Sequence, residues 1–336
     1  MIFGTPVSWL ITEIAALGLF LTVLAHASRQ VDATRRILEL FGFMLAAAIF
    51  ENVGVYLVHA YSYDLRRIMM IGGVPLEILM IEASIWYAAF NLVTRLNLPV
   101  WAKPLVVGLF GSVQDQTIDP AAVFDRHALT DVAQIASWNK LYPGSMGQGV
   151  LSGQWNWTNP GYSELWFGIP FYNYSGWVYL MVYFSVFVLL GRWLAEKSGK
   201  QVLLYAYPFL AAILNVVCIA SPLNRFLIFA YPFAAIGGNR TAEVVMLCAN
   251  YTAPLILLAI YRKRFLGVDL KRDGAILFGI PVFLHLFDVV YVFAMGTSIA
   301  YTPVLAVSAI HLAYLGVLLW ANRAAKPAVD ASPVAA

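Results

Sequence analysis

Runs of about twenty mostly apolar residues follow one another almost from end to end of this chain, with few charges inside them, and that pattern leaves few folds open. A backbone in hydrocarbon must satisfy its own hydrogen bonds, which only helices and closed barrels achieve. Barrel strands read as ten-residue segments of alternating polarity, whereas the runs here are continuous, so the expected class is all-α, a polytopic transmembrane bundle. At about 20 residues per crossing, helices fall near 8–27, 37–59, 69–93, 99–114, 172–193, 201–221, 241–261, 274–295 and 300–321. The fourth is short, and 223–238 reads as a re-entrant or interfacial piece, so the expected nine helices are bracketed by eight and ten. Hydrophobic residues make up 61% of the chain and charged ones 12%, which suits one membrane domain over 1–325 rather than a soluble fold.

The first run lacks a basic n-region and a cleavage site, and reads as a retained helix. Placing the N-terminus outside puts fifteen of the 21 Lys and Arg in inner segments, so the positive-inside rule expects an outer N-terminus and a cytoplasmic C-terminus in a bacterial inner membrane. Residues 326–336 read as a disordered tail. The one long connection, 115–171, carries Trp138, Trp155, Trp157, Trp166, Tyr142 and Tyr162. Such ring density suits a structured outer cap of short helices or turns rather than a solvated linker. Cys218 and Cys248 lie in apolar runs without metal-ligand spacing and read as small buried residues, not a disulfide.

Acids inside the apolar runs are the chemical signal. A carboxylate at the centre of a lone membrane helix costs roughly 2.5–3.5 kcal/mol on insertion scales, so such residues face a bundle interior and commonly carry function. Glu51, Glu77 and Glu82 fall in the second and third runs, Asp115 and Asp119 at the outer end of the fourth, and Asn173, Glu243 and Asp288 at comparable depth on later helices. Together they predict one pocket, open sideways to lipid and upward to the aromatic loop. Glu77 and Glu82 are five residues apart, about 140° around a helix, so only one points to the cavity centre. Gly72, Gly73 and Pro75 precede Glu77 and break the helix start; Glu77 is therefore expected in the site and Glu82 in a structural pair. Each acid taken alone is as well explained by packing, through an Arg, Tyr or Trp partner, as by chemistry.

Other classes lose support. His285 and Asp288 are merely i, i+3 on one helix and His311 stands alone, so no metal is expected. No Walker A, Gly-x-Gly-x-x-Gly or Gly-x-Ser-x-Gly pattern occurs. The net charge of +3 is spread thinly, with Arg262, Lys263 and Arg264 its one cluster, so nucleic acid is not an expected partner.

Three strings in order carry a family resemblance. Glu51 through Gly54, Tyr61-Ser62-Tyr63 and Gly73-Val74-Pro75-Leu76 form the first; Asp115 with Asp119-Pro120-Ala121-Ala122-Val123 the second; Gln154-Trp155-Asn156-Trp157, then Gly168-Ile169-Pro170, Asn173 and Gly176-Trp177 the third. Over roughly residues 50–180 the chain resembles the carotenoid hydratase family, which includes bisanhydrobacterioruberin hydratase and the bacterial gamma-carotene hydratases. It departs from that pattern where Phe124 to Gly153 separate the Asp-Pro and Trp-x-Trp segments, and where Tyr174 replaces a Phe. The 124–153 stretch reads as a lid, as a docking element for a membrane-protein partner, or as the mark of a changed substrate or role.

The resemblance implies addition of water to the terminal C=C of an acyclic carotenoid, or another long apolar polyene drawn from membrane lipid, with no cofactor. Protonating such an alkene gives a tertiary cation and calls for a neutral carboxylic acid in an apolar site. Glu51 or Glu77 is the expected acid; Asp115 or Asp119 would place the water, and Asn173 with Tyr61 or Tyr63 would fix it. Trp155, Trp157 and Trp177 would flank the polyene end and stabilise the cation. A carotenoid cyclase-type isomerase, a proton-coupled transporter and a non-catalytic pigment-binding or scaffold subunit are the competing readings.

Overall fold

The computed structural model describes residues 1–2, 4–128, 151–157, 166–229, 240–266, 268–270 and 273–323. Helices dominate: α1 (Val7–Ser28), α2 (Ala33–Val53), α3 (Leu76–Arg95), α4 (Lys103–Val123), α5 (Phe171–Ser198), α6 (Gln201–Ile219), α7 (Pro222–Phe229), α8 (Arg240–Ile260), α9 (Gly279–Met295, after a single turn Gly274–Leu277) and α10 (Ser298–Ala321). Each of the nine expected spans holds one of these, and α7 falls in the stretch read as interfacial. Seven are long and apolar enough to cross a membrane, which makes the chain an integral membrane protein. α4 and the 17-residue α9 are not among the seven: the polar residues of α4 face other helices rather than lipid.

Burial sorts the helices. In α3 89% of the apolar window lies inside protein, against 22–44% for the other six spans, so α3 is the central post. Trp86 of α3 stacks on Phe43 of α2 at 5.2 Å, meets Phe184 of α5 edge-on at 4.9 Å, and donates its indole N–H to Ser185 Oγ at 3.1 Å. Truncating an aromatic so enclosed costs about 3–5 kcal/mol. Glu39 of α2 accepts both guanidinium bonds of Arg192 (2.7 and 2.5 Å) and the hydroxyl of Tyr207, tying α2, α5 and α6. Leu57, Val202, Val290 and Ile310 face outward, as lipid-bathed surface requires.

Four local features differ from the sequence expectation. The third helix begins at Leu76, because residues 69–75 turn back as the hairpin β2 (Met70–Ile71) and β3 (Val74–Pro75). Gly72 holds φ +66°, and a Cβ there would lie 2.2 Å from Asn52 Oδ1, the atom that accepts the Gly73 N–H at 2.9 Å. α4 continues through Pro120 to Val123, so Asp115 and Asp119 sit within a helix and do not cap its end. The described part of the long connection forms ribbons instead of short helices: β1 (Tyr61–Tyr63) pairs antiparallel with β6 (Trp155–Trp157), and β4 (His127–Ala128) with β5 (Leu151–Ser152). Cys218 and Cys248 are both free; Cys218 is part-buried, and Cys248 is exposed because its side of α8 is not packed against the bundle. Residues 129–150, most of the lid or docking stretch, and the 326–336 tail lie outside the described residues.

Candidate active site: four carboxyls beneath an aromatic ribbon

The helix of α2 loosens as it ends. Gly54–Val58 form a π-turn, and His59 closes it at φ 53° in the left-handed region. Such turns expose local backbone and recur at functional sites. The chain then reverses into β1, which lays Tyr61 and Tyr63 back over the last turn of α2. Both hydroxyls donate to Glu51 Oε2, at 2.7 and 2.6 Å. Gly54 makes this possible, since a Cβ there would lie 2.5 Å from the Tyr61 oxygen. Burial, together with the adjacent Glu51 carboxyl, pushes both phenols well above their ordinary range, which keeps them as O–H donors.

The register of the ribbon adds its tryptophans. Tyr61 faces Trp157 and Tyr63 faces Trp155, with ring centroids 4.9 and 5.7 Å apart. Across the pocket, Asn173 in the first turn of α5 donates its amide to Asp115 Oδ2 at 2.7 Å and Asp119 Oδ2 at 2.6 Å. Asp115 and Asp119 are i, i+4 on α4 and lie within hydrogen-bonding reach of each other. Glu82 of α3 lies within the same reach of Glu51. Neither Glu82 oxygen receives a protein N–H or hydroxyl, and Asp115 Oδ1 is equally unsupplied.

Glu51, Glu82 and Asp119, with Tyr61, Tyr63, Trp155, Trp157, Asn173 and Trp177, thus enclose a pocket with about 20 Å³ open to a water-sized sphere, the room of one water molecule. Among the described residues none of the four carboxyls forms an ion pair. No cation among the described residues offsets the mutual repulsion within the two pairs. Tyr61 and Asn173 also form the wall of a far larger apolar chamber, about 680 Å³, between the end of α2, the start of α5 and the α6–α7 corner. Leu57, which lines it, is 75% exposed.

Glu77 is not part of this pocket. Hairpin β2–β3 and the turn before it bring Arg67 to within 2.8 Å of its carboxyl, with both side chains buried. Arg67 also lies over the Trp9 ring at 4.8 Å and reaches Gln154. Glu82, expected as a structural partner, takes the place expected for Glu77. The 140° separation had correctly divided the two; what the sequence lacked was a sign that Arg67 folds onto one of them. Of the other polar groups expected nearby, Glu243 is buried at the start of α8, and Asp288 accepts Thr117 Oγ at 2.6 Å; neither lines the carboxyl pocket. His285 and His311 contact each other at 2.7 Å, with Ser308 and Gln114 as further partners. No group of three or more His, Cys, Asp or Glu suited to a metal occurs among the described residues. Comparison with family models, curated proteins and solved structures finds no match to this chain.

Proposed function

We propose that this protein is a cofactor-independent membrane hydratase acting on the terminal double bond of an acyclic carotenoid or similar polyene. The observation that carries the reading is the pairing of buried carboxyls, none in an ion pair among the described residues, with a large, mostly apolar chamber through a shared wall, Tyr61 and Asn173. The polyene end enters the chamber from the bilayer and presents its alkene at that wall, while the remaining chain extends into lipid. A chamber of this size takes an apolar ligand segment; the one-water pocket beside it holds the second reactant.

Glu51 receives two hydroxyl donors and is the charge-bearing member of its pair; Glu82 receives none and holds a proton. That acid protonates the less substituted alkene carbon and leaves a tertiary cation. Trp155, Trp157 and Trp177 wall the carboxyl pocket behind Tyr61 and Asn173, and the remaining carboxylate charge stabilises the cation. Water held near Asp119 and Asn173 adds through oxygen, and its proton returns to the carboxyl cluster, so the balance is alkene plus water giving a tertiary alcohol. Excess Lys and Arg on the segments assigned inward support an outer N-terminus in a bacterial cytoplasmic membrane.

Expression in a host that accumulates an acyclic carotenoid, followed by pigment chromatography, tests the reading. A hydroxylated product supports it. A cyclic isomer selects ring closure by the same acid, and unchanged pigment that copurifies with the protein selects a binding role.

A further inference from the structure

The large chamber beside the carboxyl pocket contains a cation that a hydrocarbon does not match. Phe50, Val53 and Leu57 from α2 and its π-turn, Val216 and Ile219 of α6 and Ile228 of α7 supply apolar lining, and Arg225 of α7 lines the chamber with them. Arg225 is the sole Lys or Arg between Lys200 and Arg240, and no Asp or Glu occurs between Glu196 and Glu243. The residue is exposed, and among the described residues its side chain forms no ion pair and no hydrogen bond. Its guanidinium therefore keeps all its N–H donors, in the fixed fork that carboxylate and phosphate oxygens match. The neighbouring residue fixes where that fork is presented. Asn224 is buried, donates to the Ile219 carbonyl at 3.1 Å and accepts the Tyr183 hydroxyl at 3.0 Å, which locks the first turn of α7 against α5 and the end of α6.

We propose that the chamber is a binding site for an anionic amphiphile, with a hydrocarbon chain among Phe50, Leu57, Val216 and Ile228 and a carboxylate or phosphate head on Arg225. A volume of about 680 Å³ suits one such chain. The two halves of the site need each other: a free anion leaves the apolar lining uncovered, and an uncharged chain leaves the guanidinium without an acceptor. The inference goes beyond the hydratase reading, because an acyclic carotenoid end carries no anion. Amphiphile and polyene fill the same space, so each excludes the other from the wall of Tyr61 and Asn173.

The test uses the full chain in uncharged detergent at alkaline pH, where a fatty acid is ionised and Arg225 keeps its charge. Three probes share one hexadecyl chain with a mid-chain diazirine and differ only in the head: carboxylate, phosphate or hydroxyl. After illumination, mass spectrometry should find an anionic probe on residues 50–58 and 216–228, captured about tenfold more than the hydroxyl probe. The anion captured more strongly identifies the head. Arg225→Gln, which has no protein partner to lose, should bring anionic capture down to the hydroxyl level and leave hydroxyl capture unchanged. Val216→Phe fills the chamber and should lower capture of every probe several-fold. Equal capture of anionic and hydroxyl probes by the wild type, anionic capture that ignores Arg225→Gln, or label confined to other segments would each overturn the proposal. Displacement by an equal concentration of inorganic phosphate would overturn it too, since the chain would then add nothing. In a protein that hydrates a carotenoid, unlabelled palmitate should inhibit the wild type and spare Arg225→Gln. Head-selective capture in a protein that makes no tertiary alcohol would leave this inference standing and remove the hydratase reading instead.

Discussion

Glu82→Gln removes an acidic proton and little else. Glu82 is fully buried, its polar neighbour is the Glu51 carboxyl, and no protein donor supplies either of its oxygens. Glutamine has the same shape and can donate its amide to Glu51, so fold stability should stay within about 1 kcal/mol of wild type. A general acid contributes about 10²–10⁴ in rate, and at 1.36 kcal/mol per tenfold this is about 3–5 kcal/mol of barrier. Glu77→Gln should behave in the opposite sense for stability. It strands Arg67 as a buried cation, and breaking such a pair costs about 3–5 kcal/mol; Glu13, 3.8 Å from the same nitrogen, places the loss near the low end, about 3 kcal/mol. Unfolding in detergent and single-turnover product analysis on the same preparations separate the two effects. A Glu82→Gln protein with wild-type turnover, or one as unstable as Glu77→Gln, would refute the division of labour between these glutamates.

Gly54→Ala drives a methyl into the Tyr61 hydroxyl, for which the spacing is 2.5 Å; overpacking should cost about 1–3 kcal/mol, and turnover should fall as Tyr61 leaves Glu51. Tyr61→Phe and Tyr63→Phe each remove one hydroxyl donor from Glu51; each should lower stability by about 1–2 kcal/mol, and the double variant should lose more turnover than either alone, measured as product per folded protein. At the opposite end of the bundle, burial alone would raise the Asp273 carboxyl, but His26, Arg95 and Gln30 outweigh it and hold the group below its ordinary 3.8. A depressed folded value stabilises above the unfolded value and is lost as pH falls through the folded one. Asp273→Asn should therefore cost about 1 kcal/mol at neutral pH, with the penalty vanishing on acidification below the normal aspartate range in thermal unfolding scans.

The positions of the spans were legible because lipid exposure demands continuous apolar runs, and nothing in water-soluble packing imitates them. The ends of α3 and α4 were not. Hydropathy counts Gln114 through Asp119 against a membrane helix, yet those side chains turn to His311, Asp288 and Asn173 on neighbouring helices, which a one-dimensional window cannot register. Gly72-Gly73-Val74-Pro75 signals a broken helix start, but that it turns a hairpin depends on Asn52 Oδ1 accepting the Gly73 N–H from another helix. Glu51, Asp119, Asn173, Tyr61, Tyr63, Trp155, Trp157 and Trp177 line one pocket, and Asp115 is held to its edge through Asn173. The choice between Glu77 and Glu82 failed because it turned on a partner, Arg67, delivered by tertiary folding. The pairing of Tyr61 with Trp157 likewise required a register across 96 residues of chain that no local pattern encodes.

The central claim is that the clustered carboxyls add water to a polyene. Purified protein in nanodiscs, given an acyclic carotenoid in water enriched in heavy oxygen, tests it by mass spectrometry of the extracted pigment. The account predicts a tertiary alcohol carrying the heavy oxygen, and its loss in Glu82→Gln. Pigment that returns with its mass unchanged, whether as the starting polyene or as a cyclic isomer, would contradict it.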